Sequence, residues 1–282
     1  MYPHSLFLGL TLYDIFILVG VVAAFLLADR MTVKRGFSVS LQRIVIICAL
    51  SAVIVGYGSA VLFQAFYNIA ERGKFVIDAN TGATFYGGLI GGAGAFLLVY
   101  FIAGKHFCKD NEAVKRFPDM LDIGACCIPL AHAFGRLGCL TAGCCHGRET
   151  DAWYGINMYN YTNGAGEEVW HRVVPIQLFE SIFLFALAAV LIVLFFKNRG
   201  KHKFPLMPLY CVGYGIWRFF IEFARADDRG NTFIPFLTPS QFVAVLLIAV
   251  GVVYFLLWFF KWRKTPPQTD KNGQNGQNDR SA

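Results

Sequence analysis

Residues 174–196 read VPIQLFESIFLFALAAVLIVLFF, 23 residues with one charge, Glu180. At 1.5 Å per residue a helix of that length covers about 35 Å, enough to cross a hydrocarbon layer about 30 Å thick. Six more apolar blocks lie at 12–28, 44–66, 85–103, 120–142, 207–223 and 242–260. The third is loaded with glycine, and the fourth is interrupted by Pro129, Arg136 and several glycines. The expectation is an all-α integral membrane protein with seven transmembrane helices. Residues 1–264 form the membrane domain, and 265–282, polar and without an aromatic residue, a disordered cytoplasmic tail.

Composition agrees. The chain of 282 residues is 56% apolar and 15% charged, with a mean hydropathy of +0.51. Soluble domains run about 45–50% and about 25%. A disordered or collagen-like chain is excluded, and eight cysteines are too sparse for a disulfide scaffold. The first block has no basic flank before it and no small-residue cleavage site after it, so no cleaved signal peptide is expected.

Lysine and arginine set the orientation. Seventeen of the 25 fall in the first, third and fifth connections and the C-terminal tail; six fall in the alternate connections, and Arg136 and Arg218 lie in or at the rim of spans. The N-terminus is therefore expected outside and the C-terminus in the cytoplasm, which requires an odd number of spans. The net charge of +7 then fits a face lying against anionic lipid and calls for no nucleic acid.

Charge at membrane depth costs on the order of 2.5–3.5 kcal/mol and asks for a reason. Arg136, in His132-Ala-Phe-Gly-Arg136-Leu-Gly-Cys139, reads either as a guanidinium placed for a phosphate or as an arginine snorkelling to the interface. Gly135, Gly138, Gly143 and Gly147 favour the first, since they allow a bent backbone to approach a ligand. Arg218, Glu222 and Arg225 share one helical stripe. They read as a structural ion pair beside an interfacial arginine, or as excess positive charge facing the bundle. Gln177 and Glu180 also share a face, where Glu180 is a base, an arginine's partner or a first-turn carboxylate. The pairs Gly87/Gly91 and Gly88/Gly92 read as helix-packing contacts. Tyr86 and Asp14 stay ambiguous between polar contacts and interfacial residues.

Cys139, Cys144, Cys145 and His146 offer soft ligands, but an adjacent pair is poor spacing for one tetrahedral ion. A Cys139–Cys144 or Cys144–Cys145 disulfide and plain apolar cysteines are the other readings. No metal and no cofactor are expected.

Four motifs follow in order: Tyr86-Gly-Gly-Leu, Gly135-Arg136-Leu-Gly-Cys139-x3-Gly143-Cys-Cys-x-Gly147, Pro175-x-Gln177-Leu-x-Glu180, and Tyr214-Gly-x3-Arg218-Phe-x-x-Glu222-Phe-x-Arg225. Over roughly residues 10–262 this order resembles prolipoprotein diacylglyceryl transferases, in a branch with the Gly-Arg-x-Gly-Cys…Gly-Cys-Cys-x-Gly form. The resemblance implies transfer of the diacylglyceryl group of phosphatidylglycerol to the lipobox cysteine of a preprolipoprotein signal peptide. It places the enzyme in the bacterial cytoplasmic (inner) membrane, among membrane lipid, with its site toward the outer leaflet. It implies catalytic roles among Arg136, Arg218, Glu180, Glu222, Tyr86 and His132. Phosphatidylglycerol binding falls to Arg136, Gly143, Gly147, Arg218, Arg225 and Gln177. The chain departs from many members in having Tyr86 for a histidine, and Cys139 and Cys144 for Asn and Glu. The alternatives are a lipid or anion transporter, or a paralogue with another acceptor.

Overall fold

The computed structural model describes residues 9–73, 75, 77, 81–82, 84–162, 168–198, 204–225 and 236–263. The tail expected at 265–282 lies outside them, as do eight of the lysines and arginines counted above. Among the described residues seven α-helices carry the fold: α1 (Leu12–Lys34), α2 (Val39–Arg72), α3 (Phe85–Phe107), α4 (Glu112–Ala142), α5 (Ile176–Lys197), α6 (Leu206–Ile221) and α7 (Pro239–Arg263). Among the described residues, six helical stretches are long and apolar enough to cross a membrane; α6, at 16 residues, is shorter than a span. It continues, however, into a 3-10 turn at Glu222–Ala224.

The apolar residues that a soluble protein would hide point outward here. Leu26, Ile54, Leu98, Val250 and Leu257 are all well exposed on their helices. A surface of this kind needs hydrocarbon, not water, as its solvent.

Local signals explain the helix ends. Thr11 caps α1, and Asp14 closes the capping box by accepting from the Thr11 backbone N–H at 2.9 Å. The ambiguity over Asp14 is thereby resolved: it is a cap. Helix α4 accommodates both Pro118 and Pro129 without breaking. It therefore runs for 31 residues, well past the apolar block read from the sequence.

α2 packs along α3, α1 along α4, α4 along α5, and α6 along α7. The α2–α3 contact explains the third block's glycines. A Cβ on Gly91 would lie 1.7 Å from Ser59 Oγ, and one on Gly87 2.6 Å from Phe63 Cβ. Backbone touches backbone there, as the small-residue pairs anticipate.

The connection between α4 and α5 holds a feature the sequence reading did not contain. Strands β1 (Ile156–Thr162) and β2 (Glu168–Val173) pair antiparallel, with Ile156 opposite Val173 and Tyr159 opposite Trp170. Met158 of β1 and Val173 of β2 are buried, and Met158 Sδ lies 3.7 Å from Gln177 Nε2 at the start of α5.

Gly91→Val forces a branched side chain into Ser59 and should cost about 1–3 kcal/mol. Gly94→Ala, where an added Cβ meets nothing within 4 Å, should be silent. Thermal unfolding of the two variants in detergent checks the contrast.

Candidate functional site

Arg136, Glu180, Arg218, Glu222 and Arg225 come from α4, α5, α6 and the turn after α6. Arg136 on α4 lies with its Nε 2.9 Å from Oε2 of Glu180, on α5. The same Nε donates to His132 Nε2 at 3.3 Å, one helical turn back on α4. His132 Nε2 stands 3.9 Å from Glu180 Oε1, and its ring meets that of Tyr214 edge-on at 5.3 Å. Tyr214 donates its hydroxyl to Glu180 Oε1 at 3.1 Å. Glu180 is 0% exposed, so a free carboxylate there would be very costly. Of the three readings of Glu180, partnership with Arg136 is the one the geometry shows.

A second cluster lies at the end of α6. Arg218 Nη2 is 2.5 Å from Glu222 Oε2, and Arg225 Nε is 3.8 Å from the same oxygen. Thr238 donates its hydroxyl to Glu222 Oε1 at 3.1 Å. Arg218, Glu222 and Arg225 are all buried. Three guanidiniums share two carboxylates, which leaves an excess positive charge.

The hydrogen-bond inventory matters more than the net charge. Among the described residues the terminal nitrogens of Arg136 take no partner; its Nε alone is engaged. Arg218 Nη1 is buried and likewise without a partner among the described residues. Buried polar groups are ordinarily satisfied. Planar guanidinium forks anchored at one edge and open at the other suit a tetrahedral anion.

The outer end of α4 closes this region. Gly143, at φ +75°, ends the helix in the left-handed conformation. Its N–H reaches Leu140 O at 3.3 Å, and that of Cys144 reaches Cys139 O at 3.2 Å, a two-bond helix stop that favours glycine. Gly147 then runs against the turn after α6, where a Cβ would come within 2.8 Å of Ala224 O. Both glycines are thus required by the backbone itself. Gln177, fully buried, donates from Nε2 to Cys144 O at 2.5 Å and so fixes the turn to α5.

The turn draws three thiols together: the Sγ atoms of Cys139, Cys144 and Cys145 all lie within 4.8 Å of one another. They are free thiols, as are the other five cysteines, so neither disulfide reading describes this structure. Cys145 has φ +62°, and this left-handed residue is what lets two adjacent cysteines face one point. The spacing argument against the pair assumed ordinary backbone, which Cys145 does not have. Hydrogen bonds from the Cys139 and Cys144 thiols hold the Cys145 thiol well below the usual thiol range, helped by Arg225 and Arg136. His146 is not in the group; its Nδ1 lies 3.0 Å from Gly147 O.

Residues 4–257 match the family model described as prolipoprotein diacylglyceryl transferase. The chain belongs to this family. A relative from Clostridium tetani, named phosphatidylglycerol–prolipoprotein diacylglyceryl transferase, is 31% identical over 86% of this chain and 91% of its own. One from Clostridium perfringens, of the same name with the suffix 2, is 31% identical over 89% and 92%. A third of that name, from Dehalococcoides mccartyi, is 29% identical over 85% of each chain.

Of the residues singled out in the sequence, the structure brings together Arg136, His132 and Glu180 in one group and Arg218, Glu222 and Arg225 in another. Gln177, Gly143 and Gly147 shape the adjoining turn. Tyr86 sits half-buried in the first turn of α3, on a helix packed mainly against α2. Two members lacked a role in the sequence reading. Tyr214 was quoted only as part of a motif, although its spacing of four from Arg218 places both on one face of α6. Thr238 lies beyond the sixth block and carried no signal.

Glu180→Ala should leave Arg136 buried and uncompensated, at about 3–5 kcal/mol. The double variant Glu180→Ala/Arg136→Met removes the stranded charge and should recover most of that loss. Detergent unfolding curves of the single and double variants measure the difference.

Proposed function

We propose that this chain transfers the diacylglyceryl group of phosphatidylglycerol to the lipobox cysteine thiol of preprolipoproteins, making a thioether and releasing glycerol phosphate. Family membership supports the reaction, and one observation supports its placement. Two guanidiniums, Arg136 and Arg218, are each anchored by a carboxylate and each keep donors without a partner among the described residues. The reaction turns a phosphate diester into a departing monoester, so negative charge grows on the phosphate as the carbon–oxygen bond breaks. Fixed cationic donors aimed there lower the barrier because they are stronger partners in the transition state than in the ground state.

In this reading Arg136 and Arg218 hold the phosphate, and Arg225 adds positive charge beside them. Glu180, His132 and Tyr214 orient Arg136, while Glu222 orients Arg218. Gly143, Gly147 and Gln177 shape the backbone next to the headgroup, and Tyr86 supplies a further polar contact. The 3-10 extension of α6 makes it the seventh span. The N-terminus lies outside, the C-terminus in the cytoplasm, and the site faces the outer leaflet of the bacterial cytoplasmic membrane. There the lipid and the exported signal peptide meet. The alternation of lysine and arginine supports this orientation.

Purified protein incubated with phosphatidylglycerol vesicles and a lipobox peptide should yield a diacylglyceryl peptide by mass spectrometry. Arg136→Gln and Arg218→Gln should each lower turnover, per molecule of inserted protein, by about 10²–10³-fold. Unimpaired turnover in both would remove the guanidiniums from the chemistry.

A further inference from the structure

The clusters just described contain no ready base for the acceptor thiol. His132 Nε2 already accepts from Arg136, Glu180 is shared between Arg136 and Tyr214, and Glu222 is shared among Arg218, Arg225 and Thr238. A thiol of ordinary pKa about 8.5 is mostly protonated at neutral pH and a poor nucleophile in that form. Something else must hold it as thiolate.

We propose that Cys139, Cys144 and Cys145 bind a thiophilic divalent cation, zinc by its chemistry, whose fourth position takes the acceptor cysteine of the substrate. This rests on the transferase reading above for the identity of the acceptor. Tetrahedral zinc with sulfur bonds of about 2.3 Å sets its sulfur ligands about 3.8 Å apart. The three Sγ atoms already lie within 4.8 Å, so an inward shift of about an ångström closes the site. The geometry is built by backbone: the two-bond stop at Gly143 brings Cys144 over Cys139, and the left-handed Cys145 turns back toward them. The Gln177 amide clamps the Cys144 carbonyl, and its own Oε1 is buried with no partner among the described residues. Cys144 is exposed, which leaves one side of the group open to an incoming ligand. Three protein ligands and an open position are the pattern of catalytic zinc, whereas structural zinc is closed by four.

Position fits chemistry. Cys139 follows Arg136 by one turn of α4, and Gln177 precedes Glu180 by one turn of α5, so the thiols sit one helical turn outward of the guanidinium. A thiol entering the fourth position gives up its proton to water and becomes a metal-held thiolate. Its sulfur electron pair forms the new bond to the glyceryl carbon. That carbon's bond to the phosphate ester oxygen breaks, its electron pair stays on the oxygen, and glycerol phosphate leaves with one more negative charge. No oxidant or reductant is consumed.

The test uses the whole purified protein, reduced and stripped of metal, and Co2+ as the probe. Titration should give an intense cobalt–thiolate charge-transfer band that saturates at one ion per chain and is displaced by Zn2+. A lipobox peptide should shift the visible cobalt bands, and the same peptide with serine for its cysteine should not. Cys139→Ser and Cys145→Ser should lose the band, whereas Cys108→Ser, away from the group, should keep it. The proposal is overturned by a disulfide within the trio in protein as isolated, by absence of the band with all thiols free, or by a band indifferent to the peptide thiol. Thioether formation that continues unabated after metal removal would also overturn it while leaving the transferase reading intact. A cobalt site that answers the peptide thiol, in protein that makes no thioether with metal restored, would support the site and refute the transferase reading.

Discussion

A guanidinium cannot be discharged at any pH a cell offers, so Arg136 must be kept charged at membrane depth or not be there. Glu180 makes it tenable. The pair joins α4 to α5, and its remaining contacts recruit Tyr214 from α6 and His132 from α4 itself. Three helices are thereby tied at one depth by polar bonds, in a molecule whose outer faces are apolar. Ion pairs of this kind need not add net stability, because desolvation offsets most of the attraction. What they do is hold the guanidinium in one orientation, and Glu222 does the same for Arg218 at the end of α6.

That arrangement also shows how a mostly greasy bundle can present a polar site. The neighbouring turn extends the logic from charge to shape. Gly143 and the left-handed Cys145 bend the chain at the outer end of α4, and Gln177 pins the bend to α5. Gly147 continues past it against Ala224, so the ends of α4, α5 and α6 converge within a few residues. The β1–β2 ribbon rests its buried Met158 beside Gln177. Among the described residues, helix ends and a hydrogen-bonded turn therefore adjoin the place where the charges gather.

Much of this was legible before any coordinates. Apolar length alone located the helices, because in hydrocarbon every backbone group must be satisfied within its own segment. The pairing of Arg218 with Glu222 was readable from helical spacing, and both ion pairs joined residues already marked as out of place; Arg225, expected on the same helical stripe, instead lies in extended backbone past the 3-10 turn and reaches Glu222 from there. Other features were not legible, for definite reasons. The full length of α4 was hidden by Pro118 and Pro129 and by its polar first turns. The ribbon was masked because its aromatic residues also suit a membrane interface, although the alternation Ile156-Asn157-Met158 carried a strand signal. The proximity of Cys145 to Cys139 and Cys144 depends on one positive φ angle at a residue that is not glycine, which spacing rules do not anticipate.

The proposed transfer depends on the open edges of two anchored guanidiniums receiving a lipid phosphate. A structure determined with phosphatidylglycerol bound measures this directly. The phosphate should lie within hydrogen-bonding reach of the terminal nitrogens of Arg136 and of Arg218 Nη1, with the Glu180 and Glu222 contacts retained. A phosphate held elsewhere, with both forks turned to other partners, would contradict it.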